Sequence, residues 1–89
     1  MKKGDVIAVV TVAGEFVGKY NDDKNNGNMT LDDPRMLVQS QQGMGFAQGI
    51  CVTGEMNPSQ VTFNDYVFST PVNSDIEKAY RQATSGLVI

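Results

Sequence analysis

The chain has 89 residues, of which 40% are hydrophobic and 19% charged, and its formal net charge is −3. These values are typical of one small globular domain spanning residues 1–89, and they exclude a disordered tail or a fibrous protein. The acidic balance gives no sign of a nucleic-acid or membrane partner, which would need locally clustered basic residues. A chain of this length buries only about 60–65% of its unfolded surface, so contacts between subunits would add useful stability.

Cysteine, histidine and apolar content narrow the class further. Cys51 is the single cysteine and histidine is absent, which excludes an internal disulfide and a Cys/His zinc site. We expect Cys51 to be a small hydrophobic residue in a strand, and we expect no metal or cofactor. The chain contains no run of about 20 apolar residues and begins without a signal-peptide pattern, so we expect a cytoplasmic protein without a membrane partner.

The first predicted strand, Val6 to Ala13, is apolar on both of its faces, with Val12 on the same face as Val6. We expect a strand of this kind to be covered on both faces by other parts of the assembly. The second cover could be a helix, the far wall of a closed barrel or a neighbouring subunit, and the sequence leaves all three open.

Gly14 joins this strand to a second one, Glu15 to Tyr20, in which Gly18 predicts a sharp bend. Residues 21–28 are rich in Asn, Asp and Gly and predict a loop. A third strand resumes at Met29, and Asp33-Pro34 predicts a break or bulge in it because proline cannot donate to a strand ladder.

The remaining elements are a strand from Phe46 to Thr53, strand-like sequence from Val61 to Phe68, and a helix. Asn64-Asp65 interrupts the second of these and predicts either a tight hairpin or a kink. The 3.6-residue period of the apolar positions predicts an amphipathic helix over residues 74–84, with a capping box of Ser74 and Glu77 and a stop at Gly86. The apolar tail, residues 87–89, is expected to dock on the sheet or on a partner.

Three patterns that could indicate chemistry have simpler interpretations. From Asp22 the loop nearly follows EF-hand spacing, but Lys24 stands at a ligand position and strands flank it, so we expect a polar turn. The acidic pairs 22–23 and 32–33 have no separate partner group and are expected to be solvated. Gly43-Met44-Gly45 lacks the lysine and following helix of a phosphate-binding loop. We therefore expect no enzymatic activity.

The same loop does carry groups that suit single-stranded RNA. Tyr20 can stack on a base, and the amides of Asn25 and Asn28 can read base edges. Lys24 can neutralise a phosphate, and Lys2 with Lys3 would add to it if the amino terminus folds alongside. A merely solubilising loop is at least as compatible with this composition. If RNA binds, the few basic residues predict modest, strongly salt-dependent affinity.

The first third of the chain resembles the Sm/LSm family, the ring-forming RNA-binding barrels that include bacterial Hfq. The segments VVTVAGEFVGKYND and NMTLDD look like its first motif, and ICVTG is a distant echo of its second, without the arginine. The whole chain, including EKAYRQATSGL, is also similar to small Sm-like proteins found in cyanophages. If the chain is phage-encoded, its cytoplasm is that of the host cell.

The resemblance implies a mainly β fold, namely a small, strongly bent, five-stranded antiparallel Sm-like (SH3-like) barrel, here with strands over about residues 5–70 and a carboxy-terminal helix. It also implies a homo-oligomeric ring in which edge strands pair across subunits and RNA binds near the pore. By the family's pattern, the RNA contacts fall on Asp23, Asn28 and Met29, and on a late glycine-bearing loop at Thr53 and Gly54.

Two functions therefore follow from the sequence. The first is a non-enzymatic Sm-like ring that binds single-stranded RNA through its loops. The second, suggested by the acidic charge and the missing arginine, is an oligomeric scaffold that binds protein through its rim and through the tail at residues 87–89.

Overall fold

The structure is a computed structural model that describes residues 2–21, 28–41, 43–47, 53–55 and 57–84. It is mainly β, with one carboxy-terminal helix, as predicted. The elements are β1 (Val6–Thr11), β2 (Gly14–Asn21), β3 (Met29–Ser40), β4 (Gly43–Phe46), β5 (Gln60–Phe63), β6 (Phe68–Pro71) and α1 (Ser74–Thr84).

The strands form a single antiparallel sheet with the order β4-β3-β2-β1-β6, and β5 also pairs with β3. The sheet has six strands and is not closed, so the expected closed five-stranded barrel is not what the described residues form. β4 lies against the carboxy-terminal half of β3 and β5 against its amino-terminal half. Both occupy the edge of β3 that faces away from β2.

Strand β3 is bent within the sheet. Phe63 pairs with Met29 on β3, and Phe16 on β2 pairs with Met36, seven residues further along β3. A flat strand would separate those positions by about 23 Å. The rings of Phe16 and Phe63 are nevertheless 5.1 Å apart. Strand β3 therefore bends so that β5, paired with its amino-terminal half, approaches the start of β2 across the core.

The bend originates where two predicted irregularities face each other. The β2–β3 register shifts between Val17 and Lys19, so Gly18 on β2 stands opposite Asp33 and Pro34 on β3. Asp33 has φ of 49°, in the left-handed region. Two residues opposite one is the geometry of a β-bulge, which increases twist and bends the strand. The bend at Gly18 and the bulge at Asp33-Pro34 are thus parts of one feature.

Strand β1 is covered on both faces. On one face Ile7 and Val9 pack into a core cluster with Phe16, Met29 and Leu31. On the other face the core cluster consists of four side chains, which are Val6, Ala8, Val17 and Tyr80. Of the three alternatives left open by the sequence, the helix provides the second cover, and the first face is enclosed by the curled sheet itself.

Three local predictions differ from the structure. Strand β1 ends at Thr11, and Val12 is fully exposed in the turn before Gly14 because the chain must reverse there. Asn64-Asp65 makes neither hairpin nor kink within a strand, since β5 pairs with β3 while β6 pairs with β1. Strand β4 begins at Gly43, three residues before the predicted strand, and Ala47 lies outside it.

Helix α1 has the predicted bounds but a different cap. The side-chain oxygen of Asn73 accepts a hydrogen bond from the Ile76 backbone N–H at 2.9 Å, and the backbone carbonyl of Asn73 accepts one from the Glu77 N–H at 3.0 Å. Asn73 is therefore the N-cap. The expected capping box of Ser74 and Glu77 is wrong, because Ser74 already lies inside the helix and Glu77 pairs with Arg81 instead.

Several predictions fall on residues that the structure does not describe. They are the strand interior at residues 48–52 with Cys51, the helix stop at Gly86 and the apolar tail at 87–89.

Candidate nucleic-acid interface

The two ends of the β2–β3 connection are held together by a row of polar side chains from three adjacent strands. Asn21 ends β2, Asp32 lies on β3 and Gln60 begins β5. The Asn21 amide donates to the Asp32 carboxylate at 3.2 Å, and the Gln60 amide donates to the same Oδ1 oxygen at 3.1 Å. We call these three residues the polar row. Because a carboxylate accepts several hydrogen bonds, it can hold two amides in fixed positions.

A threonine pair continues the polar row along β3 and β5. Thr30 pairs with Thr62 in the strand register, and their hydroxyl oxygens are 2.9 Å apart. Thr30 is buried, whereas Thr62 is exposed. Cross-strand hydroxyl pairs of this kind stabilise sheet pairing and keep a buried polar group satisfied. The pair therefore fixes β5 against β3 beside the polar row.

The amino terminus folds alongside the end of β2. This is the condition under which Lys2 and Lys3 are expected to contribute to phosphate binding. The N–H of Gly4 donates to the carbonyl of Tyr20 at 2.8 Å, and the N–H of Tyr20 donates to the carbonyl of Asp5 at 2.7 Å. Lys2 and Lys3 are exposed in this turn. Lys2 and Lys3 thus belong to a turn whose backbone is tied to the end of β2.

Lys19, on β2, is a third lysine in this region, in addition to Lys2 and Lys3. Its Nζ lies 3.9 Å from a carboxylate oxygen of Asp33, and both side chains are well exposed. An exposed pair at this distance is held only weakly because solvent screens it. The ammonium group of Lys19 therefore remains available to a phosphate.

The predicted contact residues are distributed unevenly. Tyr20 and Asn28 are half-buried, and Tyr20 packs against the core cluster of Ile7; Thr53 and Gly54 are exposed in the segment between β4 and β5. Met29 is only 6% exposed and belongs to the core cluster of Ile7. Its buried side chain offers no face for stacking on a base in a single copy of the chain. Asp23, Lys24 and Asn25 lie outside the described residues.

Helix α1 contacts the backbone of β3 at the bulge, next to the polar row, through Tyr80. This residue is fully buried, and its ring packs edge-on against Phe46 with centroids 6.0 Å apart. Its hydroxyl donates to the carbonyl of Asp33 at 2.6 Å and lies 3.3 Å from the carbonyl of Asp32. Burial, together with a smaller effect of the nearby Asp33 carboxylate, raises the pKa of the Tyr80 hydroxyl to about 12.

Sequence reasoning missed Asn21, Asp32 and Gln60 as members of this site. Their signal was available only in part, since Asn21 is the first residue of the predicted loop and Asp32 lies in the strand predicted to follow it. Gln60 comes from a strand distant in sequence, and its place depends on the register of β5 against β3. No single-chain periodicity fixes that register.

The described residues contain no helix that is long and apolar enough to cross a membrane. Among the same residues, no group of three or more Cys, Asp or Glu side chains is arranged to hold a metal ion. Comparison with protein families, with curated proteins and with solved structures finds no match to this chain.

Proposed function

We propose that this chain is a non-enzymatic, Sm-like protein that assembles with copies of itself into a closed ring and binds single-stranded RNA beside the β2–β3 connection. The observation that carries the proposal is the strongly bent antiparallel sheet left open at both ends. Among the described residues, no strand pairs with the outer edge of β6 or with the outer edges of β4 and β5.

Open edges favour assembly because their backbone groups can pair with another chain. Apolar side chains lie along both of them. Phe68 at the start of β6 is 52% exposed, its neighbour Val67 is exposed as well, and Met44 on β4 is exposed at the opposite edge. If β6 of one copy pairs with β4 of the next, the contact is head-to-tail, and such contacts close into rings when the rotation between copies allows it.

The RNA surface that we propose consists of the polar row with the residues around it, which are Lys2, Lys3, Lys19, Tyr20 and Asn28 in addition to Asn21, Asp32 and Gln60. We refer to it as the loop-side surface. Side-chain amides can pair with the edges of unstacked bases, and the three lysines can neutralise phosphates. Asp32 opposes phosphate locally, so we expect bases rather than phosphates to face the polar row.

The assembly is tested by measuring the mass in solution by light scattering before and after nuclease treatment. We expect a multiple of the chain mass that persists after nuclease. Phe68→Lys places a charge at the β6 edge and should lower the mass toward that of one chain. Val38→Lys is the matched control, since Val38 is exposed on β3, a strand already paired on both sides. A wild-type mass equal to one chain would refute the ring.

RNA binding is tested by fluorescence anisotropy with U-rich and A-rich oligonucleotides. We expect Asn28→Ala combined with Lys24→Ala to weaken binding without changing the oligomeric mass. Lys78→Ala is the charge-matched control, because Lys78 is exposed on α1. Affinity should fall as salt rises, since phosphate contacts release counterions. If the double variant and the control bind RNA with equal affinity, either RNA binds at another site or the protein does not bind RNA.

A protein-binding scaffold is the second candidate, favoured by one observation. Val12 and Val67 are exposed and line a cavity of about 130 Å³ together with Asp65 and Tyr66. An exposed apolar patch of this kind can receive a side chain from another protein. This alternative predicts that no RNA accompanies the purified oligomer and that deleting residues 87–89 abolishes capture of its partner.

A further inference from the structure

Near the bulge, backbone carbonyl groups of β3 accept hydrogen bonds from a side chain rather than from a neighbouring strand. Strand β5 pairs with β3 as far as Asp32, and β4 pairs with it from Leu37 onward. Between these two pairings, Tyr80 from α1 donates its hydroxyl to the carbonyl of Asp33 at 2.6 Å. The helix therefore completes the hydrogen bonding of the strand where the strand bends.

Asp32 and Asp33, whose carbonyls the Tyr80 hydroxyl contacts, also hold residues of the loop-side surface with their side chains. Asp32 accepts hydrogen bonds from Asn21 and from Gln60, and Asp33 faces Lys19 at 3.9 Å. The backbone that Tyr80 contacts is thus the backbone from which the Asp32 carboxylate of the polar row and the Asp33 carboxylate project. A change in the position of these carbonyls would move both carboxylates, because side-chain direction follows the backbone.

We propose that Tyr80 is a positioning residue for the loop-side surface, and that docking of α1 through its hydroxyl sets how well that surface binds single-stranded RNA. This inference rests on the proposed function. It adds that the helix, which touches no RNA in this arrangement, governs the affinity through the backbone of Asp32 and Asp33.

The left-handed conformation of Asp33 explains why such support matters. Only a small fraction of non-glycine residues adopt positive φ, and they keep it where surrounding structure holds it. At Asp33 the N–H donates to the carbonyl of Ser59 at 2.8 Å, and the carbonyl accepts from Tyr80. Loss of the hydroxyl removes one of these two restraints and leaves a carbonyl beneath the helix without that donor.

The test compares Tyr80→Phe with Tyr66→Phe. Tyr66 is partly buried on the opposite face of the sheet, so the control removes a hydroxyl from the other core cluster. We expect Tyr80→Phe to weaken RNA binding about three- to tenfold, the range expected for loss of one hydrogen bond. Tyr66→Phe should leave the affinity unchanged, and both variants should keep the oligomeric mass.

A second measurement does not need RNA. In NMR spectra, the side-chain amide protons of Asn21 and Gln60 should shift in Tyr80→Phe and should keep their wild-type positions in Tyr66→Phe. If wild-type protein binds no RNA but these shifts occur, the proposed function fails while the positioning role stands. If Tyr80→Phe lowers the melting temperature yet leaves the amide signals and the affinity unchanged, the residue is merely structural and the inference is overturned.

Asp32→Asn provides a variant that does not touch the helix. It keeps the shape of the side chain but replaces one acceptor oxygen by an amide, which weakens the hold on Asn21 and Gln60. It should reproduce the affinity loss of Tyr80→Phe, and combining the two changes should lower affinity by less than the product of their separate effects. If the two changes have fully independent effects, Tyr80 does not influence RNA affinity by positioning Asp32.

Discussion

A methyl group at Gly18 would collide with Leu31 on the neighbouring strand: the added Cβ falls 2.9 Å from the Leu31 Cβ and 3.1 Å from the Asp32 carbonyl oxygen. Leu31 is fully buried and belongs to the main core cluster, so it cannot move toward solvent. The bulge therefore brings β2 and β3 together so closely that only glycine fits.

We expect Gly18→Ala to destabilise the fold by about 1–3 kcal/mol, the usual cost of forcing extra volume into a packed core. Urea unfolding followed by circular dichroism measures the change. Gly45→Ala is the matched control, since nothing lies within 4 Å of a Cβ added there. An equal free energy of unfolding for the two variants would show that β2 and β3 have room to separate at the bulge.

The cap of α1 gives a second prediction. Asn73→Ala removes the side-chain acceptor for the Ile76 N–H and should cost about 1 kcal/mol. Ser74→Ala should cost less than half of that, because Ser74 occupies the first turn rather than the cap. Thermal unfolding of both variants separates the two positions. A larger loss for Ser74→Ala would restore the capping box that the sequence suggested.

The backbone at Asp33 gives a third prediction. Asp33→Val places a β-branched residue at φ of 49° and should destabilise the protein by about 1–2 kcal/mol. Asp33→Asn should be tolerated, because asparagine adopts the left-handed region readily and the Lys19 contact that it weakens is exposed. Denaturant unfolding of both variants provides the comparison. If they prove equally stable, the bulge does not depend on that backbone conformation.

The hydroxyl of Tyr80 makes stability depend on alkaline pH. Folding raises its pKa from 10.0 to about 12, so the folded protein keeps a proton that the unfolded chain loses in this range. The contribution is therefore complete below pH 10 and is lost as pH rises toward 12. The difference in unfolding free energy between wild type and Tyr80→Phe should be constant below pH 10 and shrink above it. A difference that stays flat to pH 12 would contradict the role of burial.

The elements that the sequence predicts well are those with a local cause. The bounds of α1 follow from a 3.6-residue apolar period, and the irregularity between β2 and β3 follows from the permissive backbone of Gly18 and the restricted backbone of Pro34. The roles of Tyr20 and Asn28 in binding stay predictions.

What the sequence could not provide depends on contacts between distant segments. The partner of β5 is β3, and neither Asn64 nor Asp65 reveals that the chain crosses to β1 for its next strand. The link from Tyr80 to Asp33 joins residues 47 positions apart, and a buried tyrosine on a helix predicts only a packing role. Closure is equally nonlocal, and the sheet stays open although its strands bend as a barrel requires.

Strands β4 and β5 occupy the same edge of β3, and Ala47 and Ser59 are both hydrogen-bonded to that strand. The N–H of Ala47 donates to Met36, and the carbonyl of Ser59 accepts from Asp33, so both points of departure are anchored on β3. Each doubling of a flexible loop costs only about 0.6 kcal/mol in closure entropy. A peptide grafted between Ala47 and Ser59 would therefore be carried from two points fixed on β3, and we expect the β3–β4 and β3–β5 pairings to be kept.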